Sequence, residues 1–170
     1  MKKIENYIDG KITSKSKKYL LVSDPSTGEK IAEVVLSDSQ DFTETIESSE
    51  KAFEEWSLIT PINRSRIISK YKENIEKNIE YLAKIISQEH GKTLEDAKGS
   101  VLRGIEVVEF ACGIPHLLKG EFSQNVGSNI DSWSIRQPLG ITAGITPFNF
   151  PAMVPMWMFP ISIACGNSFI

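Results

Sequence analysis

After Arg136 the sequence has no charge at all: from Gln137 to Ile170 there is no Asp, Glu, Lys or Arg. An uncharged apolar stretch either crosses a membrane or lies inside a protein under covering layers. A spanning helix needs about 20 uninterrupted apolar residues. Here Pro151, Pro155 and Pro160 interrupt the stretch, Pro138 and Pro147 stand in its first part, and no basic anchor follows it. The expectation is therefore no membrane, and an interior segment whose covering layers belong to a longer chain. Cysteine is scarce. Cys112 and Cys165 stand far apart without metal-ligand spacing, which excludes a disulfide scaffold, gives no metal site and suits a reducing cytoplasm. Excess positive charge is absent too: the formal net charge of -3 steers the chain neither to nucleic acid nor to anionic lipid. No apolar run follows Lys2-Lys3, so the start is no secretory signal. There is no internal repeat and no low-complexity segment.

What is present reads as α/β. Tyr7-Ile8-Asp9-Gly10-Lys11-Ile12 carries an Asp-Gly hairpin turn. Leu20–Val22 and Ile31–Val35 read as strands on either side of the turn-rich Asp24–Gly28. Three helices follow. Ser37 or Asp38 caps the first, whose stripe is Phe42, Ile46, Ser49, Phe53 and Trp56. The second begins at Pro61 and repeats Ile68, Tyr71, Ile75, Ile79, Leu82 and Ile86 down to a Gly91 cap, where His90 meets the last carbonyls. The third starts near Thr93, with Asp96 completing a capping-box pattern, and carries Val101, Ile105, Val108 and Cys112 toward Pro115. Gly127–Gln137 reads as extended. Gly140–Ile145 suits a buried parallel strand, a helix starting at Pro151 runs to about Ala164, and Ser168–Ile170 opens another strand: one βαβ unit. The boundaries predicted are residues 1–126 and 140–170 for a nucleotide-binding architecture, with 127–139 between them.

The turn inside that βαβ unit is Thr146-Pro147-Phe148-Asn149-Phe150-Pro151. In open α/β sheets this is where ligands bind, yet the turn is not the Gly-x-Gly-x-x-Gly fingerprint. Prolines on both sides restrict the backbone. Asn149 is open to two readings: its side chain caps the following helix, or its neutral N–H donor stabilises an oxyanion. Arg103, beside Gly104 on an otherwise apolar helix, is either a snorkelling surface residue or a bidentate clamp for a carboxylate. Cys112, Cys165 and the methionines 153, 156 and 158 read as core, and His116 has no evident partner.

The string Ile145 to Ile170, ITPFNFPAMVPMWMFPISIACGNSFI, resembles the aldehyde dehydrogenase superfamily around its oxyanion asparagine, and within it the CoA-acylating methylmalonate-semialdehyde dehydrogenase branch. Trp157 is followed by Met158-Phe159-Pro160, as in that branch, where most members of the superfamily carry a lysine; Arg103–Ala111 resembles it as well. The resemblance implies an α/β fold of hairpins, three helices and the start of a Rossmann-like sheet. It implies oxidation of malonate or methylmalonate semialdehyde to acetyl-CoA or propionyl-CoA with NAD and CoA. By the same resemblance Asn149 is the oxyanion donor, Ile145, Thr146, Pro147 and Phe148 line the nicotinamide side of the NAD site, Arg103 grips the substrate carboxylate, and the segment after Gly127 is an intersubunit hairpin of a homo-oligomer. The family's nucleophilic cysteine matches neither Cys112 nor Cys165, so residues 1–170 alone are expected to be inactive; they are also expected to be poorly soluble, since the segment after Gln137 lacks its covering layers. An ordinary non-acylating aldehyde dehydrogenase and a non-catalytic assembly module are the alternatives.

Overall fold

The structure, a computed structural model, describes residues 1–170. Strand β1 (Lys2–Ile4) pairs in parallel with β5 (Lys30–Val35), whose other edge takes β4 (Tyr19–Ser23) antiparallel, with a register shift at Val22/Ser23. Nothing in the sequence reading marked β1, because Lys2-Lys3-Ile4 is exposed and carries no alternation. Strands β2 (Asn6–Ile8) and β3 (Lys11–Thr13) form the expected hairpin. Its turn residues Asp9 and Gly10 both have positive φ, 51° and 70°, the conformation for which Asp-Gly is selected.

Helix α1 (Ser39–Trp56) starts at Asp38, whose side chain accepts from Gln40 and Asp41 N–H in a reciprocal capping box. The inward position in its first turn is Asp41, 2% exposed, whereas Phe42 is 61% exposed. The predicted stripe is thus displaced by one residue at its start. The cause is polar: the Asp41 carboxylate accepts from the backbone N–H of Lys15 (2.6 Å), Ser16 (3.2 Å) and Asp38 (3.1 Å). The Lys15 N–H foremost holds the carboxyl below the usual carboxylate range.

The single helix expected from Pro61 to Gly91 is two, α2 (Pro61–Lys77) and α3 (Ile79–His90), broken at Asn78 with φ -113° and ψ 15°. Asn78 turns its Nδ2 back to the Asn74 carbonyl at 2.8 Å, the local bonding by which asparagine competes with helix continuation. Steps of four and three run across the break unchanged, so periodicity alone could not reveal it. The left-handed Gly91 ends α3 (φ 82°), and Thr93 caps α4 (Leu94–Cys112) through the Asp96 N–H. His90 does not serve the terminal carbonyls through Nδ1, which is buried without a partner. A four-residue turn of helix, α5 (Ile114–Leu117), precedes a hairpin of β6 (Phe122–Gly127) and β7 (Ile130–Trp133). The extended segment therefore begins five residues earlier than Gly127 and folds back on itself at Asn129 (φ 60°).

The parallel pair is β8 (Ile141–Thr142) and β9 (Ser168–Phe169), joined by α6 (Met153–Ala164). This is the predicted βαβ unit, with a shorter first strand and a helix that starts two residues later than Pro151. Val101, Val108, Ala97 and Ala111 of α4 are fully buried in a core shared with Ile68, Ile86, Met156 and Ala164. The buried positions of α6 are Met153, Met156, Pro160 and Ala164, a stripe at helical spacing. Gly104 lets the two helices meet: a Cβ there would lie 3.2 Å from Met156 Cβ and closer to its thioether end. No helix is long and apolar enough to cross a membrane.

Candidate functional site

The turn from β8 into α6 lies at the carboxyl end of a parallel strand. Gly144 N–H donates to Ile170 O at 2.8 Å, the last bond before the turn. The chain passes close over β9 there, since a Cβ on Gly144 would meet the Phe169 ring at 2.6 Å and Met158 Sδ at 2.8 Å. Beyond that point the polypeptide leaves the body of the protein. Ile145 is 97% exposed and Phe148 91% exposed, and Thr146, Pro147 and Asn149 are exposed as well. Residues 145–149 take part in no main-chain to main-chain hydrogen bond.

Asn149 does not cap α6. The N-cap residue is Ala152, with no side-chain cap bond, and the Asn149 carboxamide has no hydrogen-bond partner in the chain. The cap reading of Asn149 is therefore not what the fold shows. The carboxamide is a neutral donor held before the positive end of a helix and uncommitted to any group of the fold. Its main-chain carbonyl is engaged: Lys92 Nζ donates to Asn149 O at 3.1 Å and sits 4.3 Å from the centroid of the Phe150 ring. Lys92 escaped the sequence reading, because nothing local signals a contact with a turn so distant in sequence.

Arg103 lies on the exposed side of α4 next to the Gly104 crossing, and its carbonyl faces Trp157 Nε1 at 3.4 Å. No carboxylate of this chain pairs with its guanidinium. Arg103 and Asn149 are connected through α6: Trp157 stands in the second turn of the helix that Asn149 precedes. The structure gives Arg103 an open surface instead of a closed pocket. The groove between β2, α1 and β9, lined by Tyr7, Ser49, Trp56, Asn167, Phe169 and Ile170 among others, includes neither Arg103 nor any of residues 145–149.

A second polar centre also went unread. Arg64 of α2 is buried, and it donates from Nε to Ala164 O (3.0 Å) and from a terminal nitrogen to Ile59 O (2.5 Å), while Trp56 Nε1 donates to Ile163 O at 2.8 Å. Two of these donors reach carbonyls in the last turn of α6, Ala164 O and Ile163 O, the second of which also accepts from Gly166 N–H at 3.0 Å, while Ile59 O belongs to the turn before α2. Burial lowers the Arg64 guanidinium from its ordinary value, opposed by the Cys165 sulfur, and burial pushes the Cys165 thiol up. Cys165 is partly buried at the end of α6, the place of a packing residue. Cys112, half-buried, turns its sulfur to Val108 O. No group of three or more His, Cys, Asp or Glu side chains converges on a possible metal position.

Comparison with known proteins agrees with this architecture. The model of the aldehyde dehydrogenase family matches residues 12–170. The chain is 49% identical over 167 residues to a malonate-semialdehyde dehydrogenase of Pseudomonas aeruginosa, covering 98% of this chain and 34% of that protein. It is 47% identical to malonate-semialdehyde dehydrogenase 1 of Bacillus thuringiensis, covering 100% and 35%. Among solved structures, the methylmalonate-semialdehyde dehydrogenase of Oceanimonas doudoroffii superposes with a TM-score of 0.96 at 45% identity, over 99% of this chain and 35% of that one. A Sinorhizobium meliloti protein complexed with NAD and assigned to the same activity gives 0.97 at 46%, over 99% and 35%. The chain thus spans about a third of the length of the relatives it matches.

Proposed function

Since the chain belongs to the aldehyde dehydrogenase family, we propose that its residues serve the oxidation of methylmalonate or malonate semialdehyde, with NAD taking the hydride and CoA the acyl group, to give propionyl-CoA or acetyl-CoA and carbon dioxide. The observation that carries this reading is the uncommitted carboxamide of Asn149 on an exposed, proline-bracketed turn at the carboxyl end of β8. The resemblance to dehydrogenases of these two semialdehydes at 45–49% identity supports the substrate class.

When a thiolate adds to an aldehyde carbon, the carbonyl oxygen gains a full negative charge. Asn149 Nδ2–H donates to that oxygen and, being neutral, needs no proton movement to do so. The turn also fits a nicotinamide. Ile145 and Phe148 offer bare apolar surface, and residues 145–148 keep their main-chain groups free for an amide-bearing ring. Ile145, Thr146, Pro147 and Phe148 would hold it, and NAD when bound supplies the hydride acceptor. Arg103 supplies a permanent, unpaired positive charge for the carboxylate that distinguishes these semialdehydes from simple aldehydes. The β6–β7 hairpin exposes Phe122, Val126, Ile130 and Trp133, apolar side chains that suit an intersubunit contact in a homo-oligomer. Two free cysteines fit a reducing cytoplasm.

The test is an assay of the product of the complete open reading frame with methylmalonate semialdehyde. CoA-dependent NADH formation with propionyl-CoA as product is expected. Turnover indifferent to CoA with a free acid as product would establish the hydrolytic alternative, and no turnover of any aldehyde the non-catalytic one. The Arg103→Leu variant is expected to raise KM for the semialdehyde about 10- to 100-fold, the worth of a charge-assisted hydrogen bond of about 1.5–3 kcal/mol. Turnover of uncharged propanal should stay as in the parent; an equal loss on both substrates would remove Arg103 from carboxylate recognition.

A further inference from the structure

The prolines of the Asn149 turn limit its internal torsions, but they do not fix where the turn sits on the protein. A stiff loop can still swing as a body about its ends. Its other restraints are few. Residues 145–149 have no main-chain partner, and the bond that Asn149 O accepts from Lys92 Nζ, at 3.1 Å, is the one hydrogen bond they make. The same ammonium lies 4.3 Å from the centroid of the Phe150 ring, a cation–π contact on the neighbouring residue. One cation therefore grips two successive residues of an otherwise unheld turn.

The base of this grip is anchored at both ends. The Lys92 carbonyl accepts from Ser87 Oγ of α3 at 2.7 Å. Gly91 on one side is the left-handed cap of α3, and Thr93 on the other is the N-cap of α4. Lys92 thus extends from the junction of two packed helices, which fixes its main chain.

From this we infer that Lys92 is a positioning residue that holds the Asn149 peptide, and with it the carboxamide, at the point where the carbonyl oxygen of the substrate develops charge. The inference rests on the oxyanion role proposed for Asn149. A donor aimed at a developing oxyanion acts within a few tenths of an ångström of its optimum, so a turn released from Lys92 loses transition-state stabilisation while ground-state binding changes little. The ammonium contacts the Asn149 carbonyl and the Phe150 ring, so it acts through the turn that carries the carboxamide.

The experiment uses the complete open reading frame and the single-turnover rate of NADH formation from methylmalonate semialdehyde. Lys92→Met keeps the length of the side chain without its donor and is expected to lower that rate about tenfold with KM little changed. Lys92→Arg, which keeps a cationic donor, is expected to recover most of it. In an Asn149→Ala background Lys92→Met should have almost no further effect, because the group it positions is gone. If Asn149→Ala lowers the rate and Lys92→Met does not, or if the two losses multiply, the positioning role is overturned and the oxyanion role stands. If Asn149→Ala itself leaves the rate unchanged, the oxyanion reading falls and the inference with it. Thermal melting of each variant separates a folding defect from these outcomes: a drop in melting temperature for Lys92→Met that Lys92→Arg does not repair counts against the inference.

Discussion

Asn149→Ala, made in the product of the complete open reading frame, is expected to lower kcat for the semialdehyde by about 10²–10³, the cost of removing one oxyanion donor. KM should move little, because the bond forms fully only once the oxygen carries charge. The fold offers an unusually clean control. The carboxamide is exposed and makes no bond inside the chain, and Ala152 caps α6 without side-chain help. The substitution should therefore change stability by no more than about 0.5 kcal/mol. A large kinetic loss with an unmoved unfolding transition is the signature of a donor used only by the substrate. Unchanged kcat, or a loss matched by destabilisation, would return Asn149 to a structural role.

Arg64→Leu is expected to produce the opposite pattern, a large loss of stability. Leucine fills much of the space but leaves Ala164 O and Ile59 O without the donors they have at 3.0 and 2.5 Å. Each unsatisfied acceptor costs about 1–3 kcal/mol, so a loss of about 2–6 kcal/mol is expected for the two, read as a lowered urea midpoint or melting temperature. The Cβ position of Gly166, which ends α6 at φ 97°, lies 3.1 Å from the guanidinium carbon, so the arginine also packs against the turn into β9. Lysine at position 64 keeps a charge at the negative end of the helix but not the planar fork, and should recover only part of the loss. A parent-like transition in Arg64→Leu would show that these carbonyls are served by water.

The two residues differ in how far the sequence announces them. Asn149 stands in a string whose prolines and neighbours mark it. Arg64 sits on an ordinary amphipathic helix, and one of its two carbonyl partners, Ala164 O, is a hundred residues away. Lys92 resembles it: the glycine before it reads as a cap, yet its reach to Asn149 depends on how α3, α4 and α6 pack. The helix break at Asn78 and the inward Asp41 were hidden for a related reason. In both, side-chain hydrogen bonds to the backbone overrode a hydrophobic spacing that remained intact on paper.

Local chemistry sufficed wherever a few adjacent residues decide the outcome. The Asp9-Gly10 turn, the Asp38 and Thr93 caps, the Gly91 stop, the βαβ order and the uncharged stretch after Arg136 all follow from torsional preference, capping and hydrophobicity, which neighbours in sequence determine among themselves. Tertiary structure alone decided which polar groups meet across the chain: Lys92 with the Asn149 carbonyl, Arg64 and Trp56 with the end of α6, Gly104 with Met156. Those contacts depend on the relative placement of whole helices. That placement comes from the summed burial of many side chains and leaves no mark at any single position.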